Sequence, residues 1–303
     1  MEKKRKKTFH LLEANFTMPN SQQYNLKTLL TDIVHEHNDL KGKELRIDDK
    51  FYQINQITSK NNILFFQFSK YTPGENATAI KTANKKKTED TKLKEAAPPQ
   101  DFDFSEGDII VGIEDNNIFV CANNLFPNCI DNFFCNIITQ YHSLGDQLSF
   151  NIMKPSRGDK IKIIQEHGIK SIILNNLMSS QENLLPSKNI FRRIYNLAFK
   201  KDPNLQNFSI NSNCYMKLEI GSIKGKKNEE LIKEAIILIE ESQKGYGDAF
   251  VIITGNGQKI TQKEINYTQE HNLPIYGNSV QFEAAIAKLK DFRDYIYDER
   301  ENI

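Results

Sequence analysis

No C-x-x-C pair occurs among the four cysteines, Cys121, Cys129, Cys135 and Cys214. The short-spaced signatures of zinc ribbons and dithiol redox sites are therefore missing, and small buried hydrophobes are the plain reading of these thiols. Long apolar runs are also missing. Stretches such as Ala235–Ile239 fall far short of the roughly 18 apolar residues of a membrane span. The opening MEKKRKK is charged like the start of a secretory leader, but the following TFHLLEANFTMPN is broken by Glu13, Asn15 and Pro19. A leader needs about 7–15 continuous apolar residues, so none is expected, and reduced thiols in a cytoplasmic protein are. A charge surplus is lacking too. Forty basic residues face thirty-nine acidic ones for a net charge of +1, which excludes a bulk polycation and leaves the placement of the charges as the informative quantity.

What is present is an ordinary globular balance. With 303 residues, 39% hydrophobic and 26% charged, the chain can bury a core in each of two domains. Residues 8–16 alternate as a strand. Leu26, Leu29, Leu30, Ile33 and Val34 recur at helical spacing, predicting a helix over Leu26–His37 with Asn25 as N-cap. The runs Glu44–Ile47, Phe51–Ile57 and Ile63–Phe68, separated by Asp48-Asp49 and Asn61-Asn62, read as an antiparallel meander. Residues 72–100 are polar, carry Lys85–Lys87 and close on Pro98-Pro99, and are expected to be a flexible or loosely packed connection. A hairpin follows, Asp108–Glu114 with Asn117–Ala122 around Asp115-Asn116, and then an amphipathic helix over Ile130–Tyr141.

The composition shifts after Leu148, placing one domain over 1–147 and a second over 148–303. In the second, Phe150–Pro155 and Lys160–Gln165 read as strands around a basic turn, and Lys188–Phe199 as a helix. Next come a strand Tyr215–Ile220, a helix Asn228–Ser242, a strand Asp248–Thr254, a helix Thr261–His271 and a long helix Val280–Arg300. Thr261 and Glu264 have capping-box spacing. The expected class is α+β: an antiparallel meander with helices, then a domain containing a βαβ-like alternation and a long terminal helix. On that helix Phe282, Ile286, Leu289, Phe292 and Ile296 form a stripe that either packs on its own domain or serves as a dimer surface.

Candidate chemistry fails on spacing or context. Thr254–Gly257 (TGNG) follows a strand where a phosphate-binding loop would sit, but it lacks the full glycine-rich patterns and equally suits a tight turn. A metal-dependent nuclease of the PD-(D/E)xK type would have to pair Asp248 or Glu219 with Lys217 or Lys224, and neither spacing fits. Arg5 and His10 have the R-x-x-x-x-H spacing of a ribonuclease motif found in helical domains, but here one lies in a charged tail and the other in a strand. The remaining histidines, His35, His37, His142, His167 and His271, are scattered, and His35 and His37 do not share a helix face. No cofactor is implied and no catalytic residue is named.

The basic segments are the better lead. They are Lys3–Lys7, Lys81 with Lys85–Lys87, Lys154, Arg157, Lys160 and Lys162, then Lys188, Arg192, Arg193, Lys200 and Lys201, and finally Lys224, Lys226 and Lys227. Several fall at turns or helix ends, where a long side chain reaches a phosphate backbone; the bland reading is solvated surface. Arg192 and Arg193, beside Ile190, Phe191, Ile194 and Leu197, would give a docked helix a basic edge.

The order of features resembles the RexA-like phage-exclusion proteins. The likeness runs through YNLKTLLTDIVHEHNDL, ILFFQFSK, SEGDIIVGI, NLFPNCIDNFF and the stretch around KPSRGDKIKI, and it is strongest in the N-terminal half. The resemblance implies a two-domain homodimer that binds double-stranded DNA without strong sequence preference and acts in anti-phage defence, with a membrane-protein partner. It carries no catalytic residues over. The DNA-binding residues expected from this chain are the twelve from Lys154 to Lys227. Two other readings remain open: a nuclease effector whose site shows no motif, and a protein-interaction subunit of a defence complex.

Overall fold

The computed structural model describes residues 3–17, 24–37, 40–47, 50–80, 93–125, 129–142, 149–178, 214–221, 229–241, 249–276 and 279–301. The fold is α+β, with a large antiparallel sheet, several helices and a long C-terminal helix. The chain divides into two units. Unit 1 holds Met1–Phe9, Ala14–Asn151 and Glu270–Asp294; unit 2 holds His10–Glu13, Ile152–Gln269 and Tyr295–Ile303.

The larger sheet has the order β15 (Ser279–Val280), β14 (Thr268–Tyr276), β1 (Lys4–Thr17), β8 (Asn117–Asn123), β7 (Ser105–Glu114), β4 (Ile63–Tyr71), β3 (Lys50–Lys60) and β2 (Glu44–Ile47), with β9 (Ser149–Met153) paired to β1. The expected meander and hairpin are therefore both present. β4 and β7 are buried along nearly their whole length, because both faces of the sheet are covered. On one face Phe66 and Phe68 meet Phe134 and Phe133 of α2 (Cys129–Tyr141), the second pair stacked at 3.7 Å. On the other, Phe9 and Phe119 meet Phe292 edge-on, and Glu114 takes two hydrogen bonds from Arg293, at 2.7 and 2.9 Å. Gly112 sits where a Cβ would come within 2.7 Å of the Phe65 ring, so this strand position must be bare.

α1 (Leu26–Glu36) begins on the β7–β8 turn. Asn25 Oδ1 accepts from Thr28 N–H at 3.0 Å, Asn116 Oδ1 from Leu26 N–H at 2.8 Å, and the Asp115 carbonyl from Lys27 N–H at 3.0 Å. Three amides that a helix start leaves without internal partners are thus satisfied, two of them by a turn distant in sequence.

Within residues 72–100, β5 (Ala77–Ile80) pairs with β6 (Leu93–Ala96), so the ends of the expected loose connection form a ladder. Two other expectations are corrected. Lys160–Gln165 is not a strand but part of α3 (Gly158–His167). The alternation Lys160-Ile161-Lys162-Ile163 is too short to separate the two periods; Asp159 in the first turn, His167 in the last and the Gly168 N–H returning to the Ile164 carbonyl suit a helix. Thr261–His271 is not one helix. Its capping box is real, with Thr261 N–H donating to Glu264 Oε2 at 2.7 Å, but α5 (Gln262–Ile265) is a single turn and the chain then enters β14. Pairing with β1 and β15 overrides local helix preference there.

The second sheet has the order β11 (Cys214–Gly221), β10 (Ile169–Met178), β12 (Ala249–Thr254) and β13 (Lys259–Thr261), all antiparallel neighbours. β11 and β12 therefore run parallel to each other with β10 between them, joined in sequence through α4 (Glu229–Glu241). The expected βαβ alternation is present in split form. Leu231, Ile232, Ala235, Leu238 and Ile239 of α4 share one core with Ile164, Ile172, Phe250, Ile252, Ile260 and Ile265.

α6 (Phe282–Glu301) buries its whole stripe, Phe282, Ile286, Leu289, Phe292 and Ile296, within the chain. Phe282, Ile286, Leu289 and Phe292 belong to unit 1, where Phe292 meets Phe9 and Phe119, so this part of the stripe packs neither on the 148–303 domain expected for it nor as an open dimer surface. The helix expected over Lys188–Phe199 lies outside the described residues.

Candidate nucleic-acid interface

Of the twelve expected DNA-binding residues, the structure describes Lys154, Arg157, Lys160 and Lys162; Lys188, Arg192, Arg193, Lys200, Lys201, Lys224, Lys226 and Lys227 lie outside the described residues. The four do not sit on a turn between two strands. Lys154 follows the end of β9, Arg157 is the N-cap of α3, and Lys160 and Lys162 lie in the first turns of that helix.

Arg157 is committed to the fold. Its guanidinium donates to both Asp159 oxygens (3.2 and 3.3 Å), to Glu299 Oε2 and to the Tyr295 hydroxyl (3.3 Å), and it lies over the Tyr267 ring. Burial alone would lower its pKa; the Asp159 hydrogen bonds and charge, with Glu299 and Tyr295, reverse this and raise it. With 18% of its side chain exposed and its donors engaged, it has little to offer a phosphate. Lys160 lies 3.5 Å from Asp159, and Lys162 is exposed.

Lys154 differs. It is half-buried, burial lowers its pKa, and it has no hydrogen bond or ion pair among the described residues. Two backbone contacts set its place: Ser156 bridges to Asn266, and Arg157 N–H donates to the Ile265 carbonyl at 2.8 Å. These bring the chain after β9 against the end of α5. Nearby, Leu11 N–H donates to the Tyr267 carbonyl at 3.1 Å, which brings in β1. Burial, then Lys154 and then Lys263, push the pKa of His10 down to about 4. Lys160 and Lys259 act together on Glu264, whose pKa is lowered first by its Thr261 hydrogen bonds. Lys154 and Lys160 thus belong with Lys259 and Lys263 around α5, and with a neutral His10. Sequence reasoning met His10 only in a ribonuclease spacing and missed Lys259 and Lys263, because nothing in spacing signals a convergence made by three separate segments.

The remaining candidates resolve simply. TGNG is the turn of the β12–β13 hairpin: Gly257 has φ +87°, and Thr254 N–H donates to the Gln258 carbonyl at 2.9 Å. A Cβ on Gly255 would lie 2.2 Å from the His167 carbonyl oxygen, so backbone contact explains that glycine. Arg5 and His10 are five apart on a strand and so point to opposite faces. His37 Nε2 lies 3.3 Å from the Tyr141 carbonyl. The side chains of Lys217 and Glu219, and all of Lys224 and Asp248, lie outside the described residues. Among the described residues no group of three or more His, Cys, Asp or Glu is placed to hold a metal ion, and no helix is long and apolar enough to cross a membrane.

Unit 1 contains a second polar cluster with no counterpart in the sequence reasoning. Lys7 Nζ donates to Asn123 Oδ1, Asn123 Nδ2 to Asp108 Oδ1 (2.6 Å), and Gln67 Nε2 to Asp108 Oδ2 (3.2 Å), a row across β1, β8, β7 and β4. Asp108 and Asn123 are each 1% exposed. Burial raises the Asp108 pKa, against the pull of Asn123, Gln67, the Val280 N–H and Lys7. Cys121 lies in the same field, and burial first and then Asp108 push its thiol to about 12, which makes it inert. The one signal in the sequence was a lone aspartate heading an apolar strand.

Comparison of the chain with models of known protein families, with curated proteins and with solved structures finds no match.

Proposed function

We propose that this chain binds double-stranded DNA through its phosphates, without reading base sequence, and acts as a sensor or effector in an abortive-infection type of anti-phage defence. The observation that carries the DNA-binding reading is the set of lysines around α5: Lys154, Lys160, Lys259 and Lys263. Several cations on one unit suffice for sequence-independent attraction to a duplex, driven by release of condensed counterions. Arg157 leaves the expected contact set and becomes a support, because its donors hold Asp159, Glu299 and Tyr295. The defence role rests on the resemblance to phage-exclusion proteins alone. The homodimer and the membrane-protein partner rest on it as well, and a dimer would need a face other than the buried α6 stripe.

A gel shift on duplex DNA of unrelated sequences, titrated with salt and run with and without Mg²⁺, tests the reading. The expected result is a shift that weakens steeply with salt, is indifferent to sequence and leaves the DNA intact. Cleavage that requires Mg²⁺ or Mn²⁺ would assign a nuclease instead, and the absence of both shift and cleavage would assign a protein-interaction subunit.

A further inference from the structure

We propose that the acidic, aromatic loop over residues 99–105 of unit 1 docks on the cationic start of β1 in a second copy of this chain, the two copies pairing about a two-fold axis. The inference rests on the homodimer reading and adds to it which face is buried; it is independent of DNA binding.

The loop holds its rings out in fixed backbone. Among the described residues, Phe102 and Phe104 are the large apolar side chains left in water, 71% and 37% exposed. Phe102 N–H donates to the Pro99 carbonyl at 3.0 Å, Gly74 N–H to Asp103 Oδ1 at 2.8 Å, and Ser105 Oγ to the Gly107 carbonyl at 3.0 Å. Asp101 is held at φ +64°, a costly conformation for a residue with a side chain. Rings displayed on an ordered loop lose little further freedom on binding, which suits them as interface anchors.

Charge selects the partner. Glu75, Asp101 and Asp103 are exposed around the rings and make no ion pair among the described residues, whereas Glu106 is answered by Lys70 at 2.7 Å and Thr72 at 2.9 Å. Three carboxylates repel a phosphate backbone or an anionic lipid surface, so the loop suits a protein surface that carries cations. Such a surface lies at the same end of the same sheet. β1 runs antiparallel to β8, with Ala14 bonded to Asn116 and Lys7 to Asn123, and Asp108 of β7 lies opposite Asn123. The starts of β1 and β7 therefore share an end, about 10 Å apart across β8. There Lys3, Lys4 and Arg5 are exposed and make no ion pair among the described residues, while Lys6 is paired with Glu270. An isologous contact needs one patch to carry both halves of the complementarity, and this end carries acids with rings on one segment and cations on another. A patch of one loop and one strand end is smaller than an obligate interface, so the dimer should dissociate on dilution.

The test uses the full chain without DNA, by sedimentation velocity over a concentration series at low and high salt. A dimer that weakens on dilution and with salt is expected. Phe102→Ser should weaken it at least about thirtyfold, because the axis removes the anchor twice. The double variants Glu75→Lys/Asp101→Lys and Lys3→Glu/Lys4→Glu should each be monomeric alone and should dimerise when mixed, since opposite charges then face each other at both contacts. Circular dichroism of each variant confirms that it folds.

A wild-type chain that stays monomeric at every concentration overturns this inference together with the homodimer reading. A wild-type dimer that Phe102→Ser and both charge swaps leave intact overturns the inference alone, and the homodimer then uses another face. Loss of the dimer in Phe102→Ser with no rescue in the mixture overturns the start of β1 as the seat of the loop.

Discussion

Lys7 in unit 1 and Lys154 in unit 2 are both withdrawn from water, and burial is the first cause of the lowered pKa of each. Lys7 ends in a closed row, its ammonium on Asn123 and Asn123 on Asp108, with Gln67 on the other carboxylate oxygen. Lys154 ends on nothing among the described residues, and the group it acts on is the neutral His10. A desolvated charge answered from within belongs to the architecture, and one left unanswered is available to a partner. The same contrast recurs within unit 2, where Arg157 is answered three times over and Lys154 not at all.

The sharpest way to break this comparison is at Asp108. Asp108→Ala leaves Asn123, Gln67 and Lys7 facing a buried gap and should cost about 3–5 kcal/mol in urea denaturation. Asp108→Asn should cost less and change the pH profile. Because burial raises the folded pKa of Asp108, its contribution is fullest below the ordinary carboxylate pKa near 3.8 and is lost as pH rises through the raised value. The asparagine variant should lack that decline; an unchanged profile would remove Asp108 as its source.

Next in size is Arg157→Ala. It should destabilise unit 2 by about 2 kcal/mol, since Asp159 and Glu299 lose a charge-assisted partner, yet leave the salt slope of DNA binding unchanged. A lowered slope without loss of stability would place Arg157 among the contacts after all. The smallest expected effect is at His10. Its folded pKa of about 4 lies below the ordinary 6.5, so its contribution to stability is present above pH 6.5 and lost as pH falls toward 4. His10→Gln should flatten that limb of the urea-midpoint profile.

Much of the fold was legible before the structure. The helix from Leu26, the meander, the Asp115-Asn116 hairpin and the helix before Tyr141 all carry several turns or pleats of one clear period. Legibility failed where a segment was too short to show its period or where a neighbour decided. Lys160–Ile163 alternates for four residues and is a helix, while Thr268–Tyr276 follows a genuine capping box and is a strand because β1 and β15 pair with it. The candidate site was legible in part. Lys154 and Lys160 stood out as basic residues near a chain reversal, but His10 and Lys263 acquire meaning only through pairing between distant segments. Neither the engagement of Arg157 nor the isolation of Lys154 can be read from residue type, since both are basic residues three apart in one stretch.

The seating of α1 on the β7–β8 turn has a consequence for anyone engineering this protein. A two-residue hairpin turn is the customary place to splice in a tag or fluorophore, but the Asp115 carbonyl and the Asn116 side chain here hold the amides of Lys27 and Leu26. Lengthening that turn by a few residues would unplug a helix rather than decorate a loop. In hydrogen exchange the same two amides should be slow, whereas the leading amides of an ordinary helix exchange within its fraying first turn.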